Sequence, residues 1–203
     1  MEIKVVHLGL IRTNCYLISS DRAAVVIDPG QDSETVLRFL EDSSDKERFI
    51  LITHAHFDHI AGVPLLREKT GVPIGIGAGD HTALSDPSIN LSARFHVQIP
   101  PFTADRTFHD GDVFTVGDLR FSVLETPGHT VGGVSYLLEN ALFSGDTLFE
   151  GTVGRTDFPG GDIHTLKKSV KRLLLLDGDT VIYPGHDGFT TVAKERRNNI
   201  FAR

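Results

Sequence analysis

The sequence holds one cysteine, one methionine and no tryptophan in 203 residues. A single thiol, Cys15, excludes an intramolecular disulfide and any zinc cage built from cysteines. Its neighbours Tyr16 and Leu17 place it in an apolar stretch, so a small buried hydrophobe is expected there rather than a nucleophile. Basic charge is in deficit as well. Twenty Lys and Arg against 27 Asp and Glu leave a formal charge of -7, the opposite of a nucleic-acid partner's footprint. No stretch approaches the roughly 18 apolar residues of a membrane span. The start, Met1-Glu2-Ile3-Lys4-Val5-Val6-His7, lacks the basic then apolar pattern of a secretory signal. There is no Gly-x-Ser-x-Gly elbow for a serine nucleophile. What remains is a cytoplasmic protein expected to fold as one domain over residues 1–203, with 40% hydrophobic residues to build a core.

Short apolar runs separated by turn signals fill the chain. Ile3 to Leu8, Cys15 to Ile18, Ala23 to Ile27 and Phe49 to Ile52 read as strands, rich in Val and Ile. After Asp28-Pro29-Gly30, Ser33 is placed to cap a helix over residues 34–42, with Val36, Leu37 and Leu40 on one face. Ile60 to Thr70 reads as a helix ended by Gly71, and residues 72–110 as irregular. The second half repeats the pattern. Val113 to Val116, Leu119 to Leu124, Val134 to Leu138, Ala141 to Ser144 and Thr180 to Tyr183 read as strands, and Ile163 to Leu176 and Thr191 to Asn199 as helices. Hairpins with helices at intervals in both halves suggest two sheets with helices outside, an α+β layout.

Against this background Thr53-His54-Ala55-His56-Phe57-Asp58-His59 stands out, three histidines and an aspartate directly after an apolar strand. Histidines are costly to bury unpaired, and a divalent cation offsets the cost of crowding them. In extended chain His54 and His56 face the same way, while Asp58 and His59 follow the turn. Three more candidates, His129, Asp146 and His186, each follow a predicted strand and a glycine. Seven ligands divide into two sites sharing one carboxylate, as in two-metal hydrolases whose ions stand about 3.5 Å apart. His7, His81, His96, His109 and His164 have no such company and are expected to be structural or exposed. Asp110, Asp112 and Asp118 fit turns.

The order of these motifs resembles the metallo-β-lactamase superfamily over essentially the whole chain. The resemblance implies a four-layer αβ/βα sandwich, two mainly antiparallel sheets with helices outside. It implies that His54, His56 and His129 bind one ion, that Asp58, His59 and His186 bind the other, and that Asp146 bridges them. Asp28, in Ile27-Asp28-Pro29-Gly30, corresponds to an aspartate that supports the ligands from behind. Zinc is the expected metal, and iron or manganese suit the same donors.

Within that superfamily the segment Val153 to Asp162 and the ending Pro184 to Thr191 look like the short, single-domain form of the glyoxalase II group, the hydroxyacylglutathione hydrolases. Full-length members carry a C-terminal helical domain that supplies basic residues to glutathione, and this sequence ends at Arg203. The lysine and tyrosine of their substrate loop are Arg155 and Phe158 here. Arg155 either pairs with Asp157 or offers a cation to a substrate carboxylate. The implied reaction is hydrolysis of a small-molecule thioester such as S-D-lactoylglutathione by a metal-bound hydroxide, with Asp58 orienting it and Asp146 between the ions. Persulfide dioxygenases of the same fold share the Gly-Arg-Thr-Asp-Phe loop. They would use one iron on His54, His129 and Asp146. A β-lactamase or other metallo-hydrolase is a further alternative.

Overall fold

Alternation along the first strands divides their side chains between two different neighbours. In the computed structural model, which describes residues 1–202, Cys15 and Leu17 join one apolar cluster while Tyr16 and Ile18 join another. Six strands make this sheet in spatial order: β1 (Glu2–Leu8), β2 (Thr13–Ser19), β3 (Ala23–Ile27), β4 (Glu47–Ile52), β5 (Ile74–Gly77) and β6 (Arg106–Phe108). On its outer face lie α1 (Glu34–Asp42), α2 (Phe57–Ile60) and α3 (Val63–Thr70), which bury Val36, Leu40, Ile60, Val63 and Leu66 against Val26, Ile50, Ile52 and Ile74. The hydroxyl of Ser33 accepts from the Val36 N–H at 3.4 Å and starts α1 where its sequence indicated.

The inner face packs on a second sheet. Its strands are β7 (Val113–Val116), β8 (Leu119–Glu125), β9 (Val134–Leu138), β10 (Ala141–Gly145), then β13 (Val181–Pro184) and β14 (Thr190–Thr191). A two-stranded ribbon, β11 (Leu148–Phe149) with β12 (Thr152–Val153), stands beside it. Phe108, Phe121, Tyr136 and Phe143 fill the space between the sheets together with Tyr16, Ile18 and Val25. Beyond the second sheet, α4 (Ile163–Leu173) and α5 (Val192–Asn198) bury Leu166, Val170, Leu173 and Val192 against Leu142 and Ile182. Helices, sheet, sheet and helices form the four expected layers.

Three local features differ from the sequence-based expectation. The first sheet is mixed: β3–β4, β4–β5 and β5–β6 pair in parallel, because α1, then α2 with α3, and then the segment 78–105 carry the chain back between strands. The second sheet keeps four antiparallel pairings and one parallel pairing, β10 with β13. The helix expected from Ile60 to Thr70 is two helices broken at Ala61 and Gly62. Pro64 cannot donate a backbone hydrogen bond to continue the first, and a Cβ at Gly62 would lie 2.4 Å from the carbonyl of Gln31. Residues 72–110 contain β5, β6 and a 3₁₀ helix, Ala78–Ser85. Their signal was masked because Gly75 and Gly77 interrupt β5 where other groups press in. A Cβ at Gly77 would meet the Gly132 carbonyl at 2.3 Å.

Candidate metal centre

Every candidate ligand follows the C-terminal end of a strand. β3 and β4 are parallel, β8 and β10 flank the antiparallel β9 and so run together, and β10 and β13 are parallel. Their C-terminal ends therefore lie on one edge, and the loops after β3, β4, β8, β10 and β13 bring Asp28, His54 to His59, His129, Asp146 and His186 to one place. Two glycines let the loops close. At Gly145 (φ +50°) a Cβ would sit 2.4 Å from Oγ1 of Thr53, and at Gly185 it would sit 2.2 Å from Oδ1 of Asp146.

The seven predicted ligands converge. Three overlapping groups, His54 with His56 and His129, His54 with His59 and Asp146, and Asp58 with His59 and His186, each hold their donor atoms within 4.8 Å of one another. His59 Nε2 lies 3.3 Å from Asp58 Oδ2 and 3.5 Å from Asp146 Oδ1. His186 Nε2 lies 3.2 Å from Asp58 Oδ2 and 3.6 Å from Asp146 Oδ2, and His129 Nε2 lies 3.5 Å from that same oxygen. Asp146 thus stands between the two halves of the cluster. His56 Nδ1 faces His129 Nε2 at 2.9 Å.

The surrounding hydrogen bonds decide which ring nitrogens are free. Asp28 Oδ2 accepts from Nδ1 of His59 at 3.0 Å and from the Thr53 hydroxyl at 2.7 Å, while Oδ1 accepts from the Thr53 N–H at 2.8 Å. That hydroxyl has one proton and gives it to Asp28, so its contact at 3.1 Å with His54 makes Nδ1–H of His54 the donor. His129 donates Nδ1–H to the Arg155 carbonyl at 2.7 Å. In His54 and His59 this leaves Nε2 without a partner and turned inward, the arrangement a metal ligand needs, while Nε2 of His129 faces Nδ1 of His56.

This ring has the chemistry of a cation site. The Nε2 atoms of His54, His56 and His59 and Oδ1 of Asp146 are buried without any hydrogen-bond partner, a costly state that a coordinated ion relieves. Burial, then the neighbouring histidines, holds His54 well below the ordinary imidazole pKa. The same causes bring His56 to about 3, so both rings are neutral donors. Burial opposes a proton on His59, yet Asp58, Asp146 and Asp28 outweigh it and raise its pKa. His186 rises likewise through Asp58 and Asp146. One side of the cluster draws positive charge. Imidazole and carboxylate donors fit divalent zinc, iron or manganese.

The cluster floors a cleft of about 450 Å³ whose walls include Ile11, Phe57, Leu91, Phe95, Phe149 and Phe158. Phe57, whose direction the sequence left open, stacks on Phe95 with centroids 4.8 Å apart. Arg155 and Phe158 both reach the cleft wall. Nε and Nη2 of Arg155 each donate to the Asp157 carboxylate at 2.6 Å, and its guanidinium lies 4.0 Å over the Phe158 ring. Cys15 is fully buried, and burial pushes its thiol well up, in keeping with a packing role. His7, His96, His109 and His164 are exposed and His81 is half-buried, and none joins the cluster. Asp110 and Asp112 accept backbone N–H bonds from Glu125 and His109, and Asp118 takes the Ser20 hydroxyl.

Sequence reading missed two supports. The Thr13 hydroxyl donates to Asp58 Oδ2 at 3.1 Å. Asp80, in the region read as irregular, accepts from the N–H of Ala55 at 3.0 Å and of Gly132 at 2.6 Å, fastening the His54–His56 loop to the one after His129. Neither residue carries a local pattern, since both act on partners distant in sequence.

Known proteins share this arrangement. A model described as the metallo-beta-lactamase superfamily matches residues 8–186. The hydroxyacylglutathione hydrolase GloC of Haemophilus influenzae is 34% identical over 207 residues, covering 99% of this chain and 98% of its own. The crystal structure of the B3 metallo-beta-lactamase BLEG-1 aligns with a TM-score of 0.91 at 37% identity over 99% of both chains. TTHA1623, crystallised in a di-iron-bound form, aligns with a TM-score of 0.86 at 36% identity over 98% of this chain and 99% of that one. The strand-end ligands, the four layers and the length of these matches agree, and the chain belongs to the metallo-beta-lactamase superfamily.

Proposed function

We propose that this chain hydrolyses thioesters of small thiols, S-D-lactoylglutathione or a related acyl-thiol, using two divalent ions. His54, His56 and His129 would hold one ion, Asp58, His59 and His186 the other, with Asp146 shared between them. The observation that carries the reading is the ring of bare, buried ligand atoms at the floor of an apolar cleft. The name of the Haemophilus relative supports the substrate class. Zinc is the first choice for these donors, and the di-iron form of a structural neighbour supports iron as well.

When bound, the ions lower the pKa of a coordinated water and polarise the carbonyl to be attacked. The rest falls to the chain. Asp58 is held below the usual carboxylate range because His59 and His186 outweigh its burial. It is therefore ionised at neutral pH and orients the attacking water by accepting its hydrogen bond, while Thr13 fixes the carboxylate from behind. Asp28 keeps the ligand lone pairs of His54 and His59 turned inward. Phe57, Phe95 and Phe158 pack on the acyl-thio group and exclude bulk water from it.

Release of free thiol from S-D-lactoylglutathione by metal-loaded protein tests this reading, and no turnover of any acyl-thiol overturns it. The persulfide dioxygenase reading needs only His54, His129 and Asp146. Those enzymes also carry counterparts of Asp58 and His59, unused, so the name of the Haemophilus relative, and not the second group, favours hydrolysis. Oxygen uptake with glutathione persulfide by iron-loaded protein would reverse that choice.

A further inference from the structure

The cleft's most obvious cation is already occupied. Arg155 gives two edges to Asp157 and its face to Phe158, so its charge is countered where it stands. A second arginine lies beside the candidate ligand His186. Arg12 lines a recess of about 310 Å³ with His7, Ile11, His186 and Asp187, directly behind the ligand His186. It makes no ion pair with any carboxylate among the described residues, including Asp187 on the same wall.

The side chain of Arg12 is exposed, and the backbone that carries it is fixed by its neighbours. Thr13 donates to the ligand Asp58 at 3.1 Å. Asn14 donates its N–H to the Gly185 carbonyl at 2.7 Å and its amide to the carbonyls of Pro184 and Asp187, both at 3.0 Å. The β1–β2 hairpin is therefore pinned to both loops that carry Asp58 and His186. Arg12 itself takes φ +57°, a left-handed conformation that a long side chain adopts at some cost. An exposed, unpaired guanidinium on a backbone fixed by its neighbours, in a chain of net charge -7, is placed to meet an anion.

We propose that Arg12 binds an oxyanion on the thiol carrier of the substrate, a carboxylate or a phosphate, in the recess behind His186. Arg155 then serves chiefly as cleft wall. The assignment rests on the thioester reading, for it names which end of that substrate meets which side of the centre.

Binding of uncleavable thioethers to metal-loaded protein tests this without turnover. Calorimetry with S-methylglutathione, its dimethyl ester and S-methyl-coenzyme A separates carboxylate from phosphate. Arg12→Gln is expected to weaken binding of the matching anion about 10-fold or more, the scale of one lost charge-assisted hydrogen bond. The ester is expected to lose far less, and Arg155→Gln to affect acid and ester alike. Arg12→Gly, which relieves the positive φ, keeps the test valid if the glutamine variant folds poorly. Arg12→Lys should restore part of the affinity. Equal losses for acid and ester, unchanged affinity in Arg12→Gln, or no binding of either anionic thioether at millimolar concentration would overturn the proposal. If Arg12-dependent binding is found but no thioester is hydrolysed, the thioester reading fails and the anion site stands.

Discussion

Replacing Asp28 by Asn changes no volume and one atom's hydrogen-bonding sense, yet it should disarm ligands to both ions. Asp28 sits at φ +53°, a conformation asparagine tolerates, so no backbone strain is added. Its Oδ1 accepts from the Thr53 N–H, and its Oδ2 from the Thr53 hydroxyl and His59 Nδ1–H. An amide oxygen can replace only one of these oxygens. If it faces the Thr53 N–H, the amide NH₂ points at His59 Nδ1 and at the Thr53 hydroxyl. His59 must then accept at Nδ1 and carry its proton on Nε2, where the ion should bind. The hydroxyl must accept from the amide and give its proton to His54 Nδ1, which moves the proton of His54 to Nε2 as well. The opposite flip sets NH₂ against the Thr53 N–H with no acceptor between them, at a cost of about 1–3 kcal/mol. Removing such a supporting carboxylate typically lowers metal affinity about 10- to 100-fold, or about 1.4–2.7 kcal/mol per ion. Chelator competition on purified Asp28→Asn protein measures this, and ¹⁵N spectra of the imidazoles report the tautomers directly. Thr53→Val serves as a comparison, because it cuts only the relay to His54 and should weaken the first group more than the second. If Asp28→Asn holds both ions within twofold of the unaltered protein, the hydrogen-bond reasoning is wrong.

Gly185→Ala places a methyl 2.2 Å from Asp146 Oδ1 and 2.7 Å from His59 Cε1, and should cost at least one ion per chain by elemental analysis. Glu195 is fully buried and accepts from the Gly151 N–H, the Thr190 hydroxyl and the Asn199 amide, at 2.8, 2.6 and 2.9 Å. Glu195→Ala leaves these donors unmet and should lower unfolding free energy by about 3–5 kcal/mol in urea titrations; a loss under 1 kcal/mol would contradict it. The hydrogen bonds from Arg172 hold Asp110 below the ordinary carboxylate pKa. A depressed folded-state pKa gives stability that is complete above the unfolded value near 4 and lost as pH falls through the folded one. The pair is about two-fifths exposed, so the loss is small. Comparing urea midpoints at pH 7 and pH 3 should show Asp110→Asn losing less on acidification than the unaltered protein.

The convergence of the candidate ligands was legible because each motif states its own chemistry within a few residues. A histidine after a strand and a glycine is local information, and all seven predicted donors meet. Strand spans with clean alternation were legible for the same reason, as in Val134 to Leu138, where sequence and structure agree at both ends. β5 was not, since its glycines answer to Phe108 and Gly132, residues far along the chain. The parallel pairings of the first sheet were hidden too. Direction depends on whether the connection between two strands crosses back along the sheet, and a periodicity count of one segment carries no such term.

The same distinction governs the residues that tune the centre. Arg155 follows a ligand motif in sequence, which made it the natural candidate for substrate charge, but Asp157 two residues on shares that locality and claims it. Arg12 lies 42 residues before the first ligand in sequence, by subtraction of 12 from 54, and no pattern links them. The link is made by Thr13 and Asn14, whose partner Asp58 lies in α2 after a strand of the first sheet and whose partners Pro184, Gly185 and Asp187 lie at and after the end of β13 in the second. Ligand identity is thus written by strand ends, each of which is local, whereas orientation and charge around the ligands are written by contacts between those ends. A substitution at Arg12 should accordingly alter which substrate is held without altering which ions are, and substitutions at Asp28 should do the reverse.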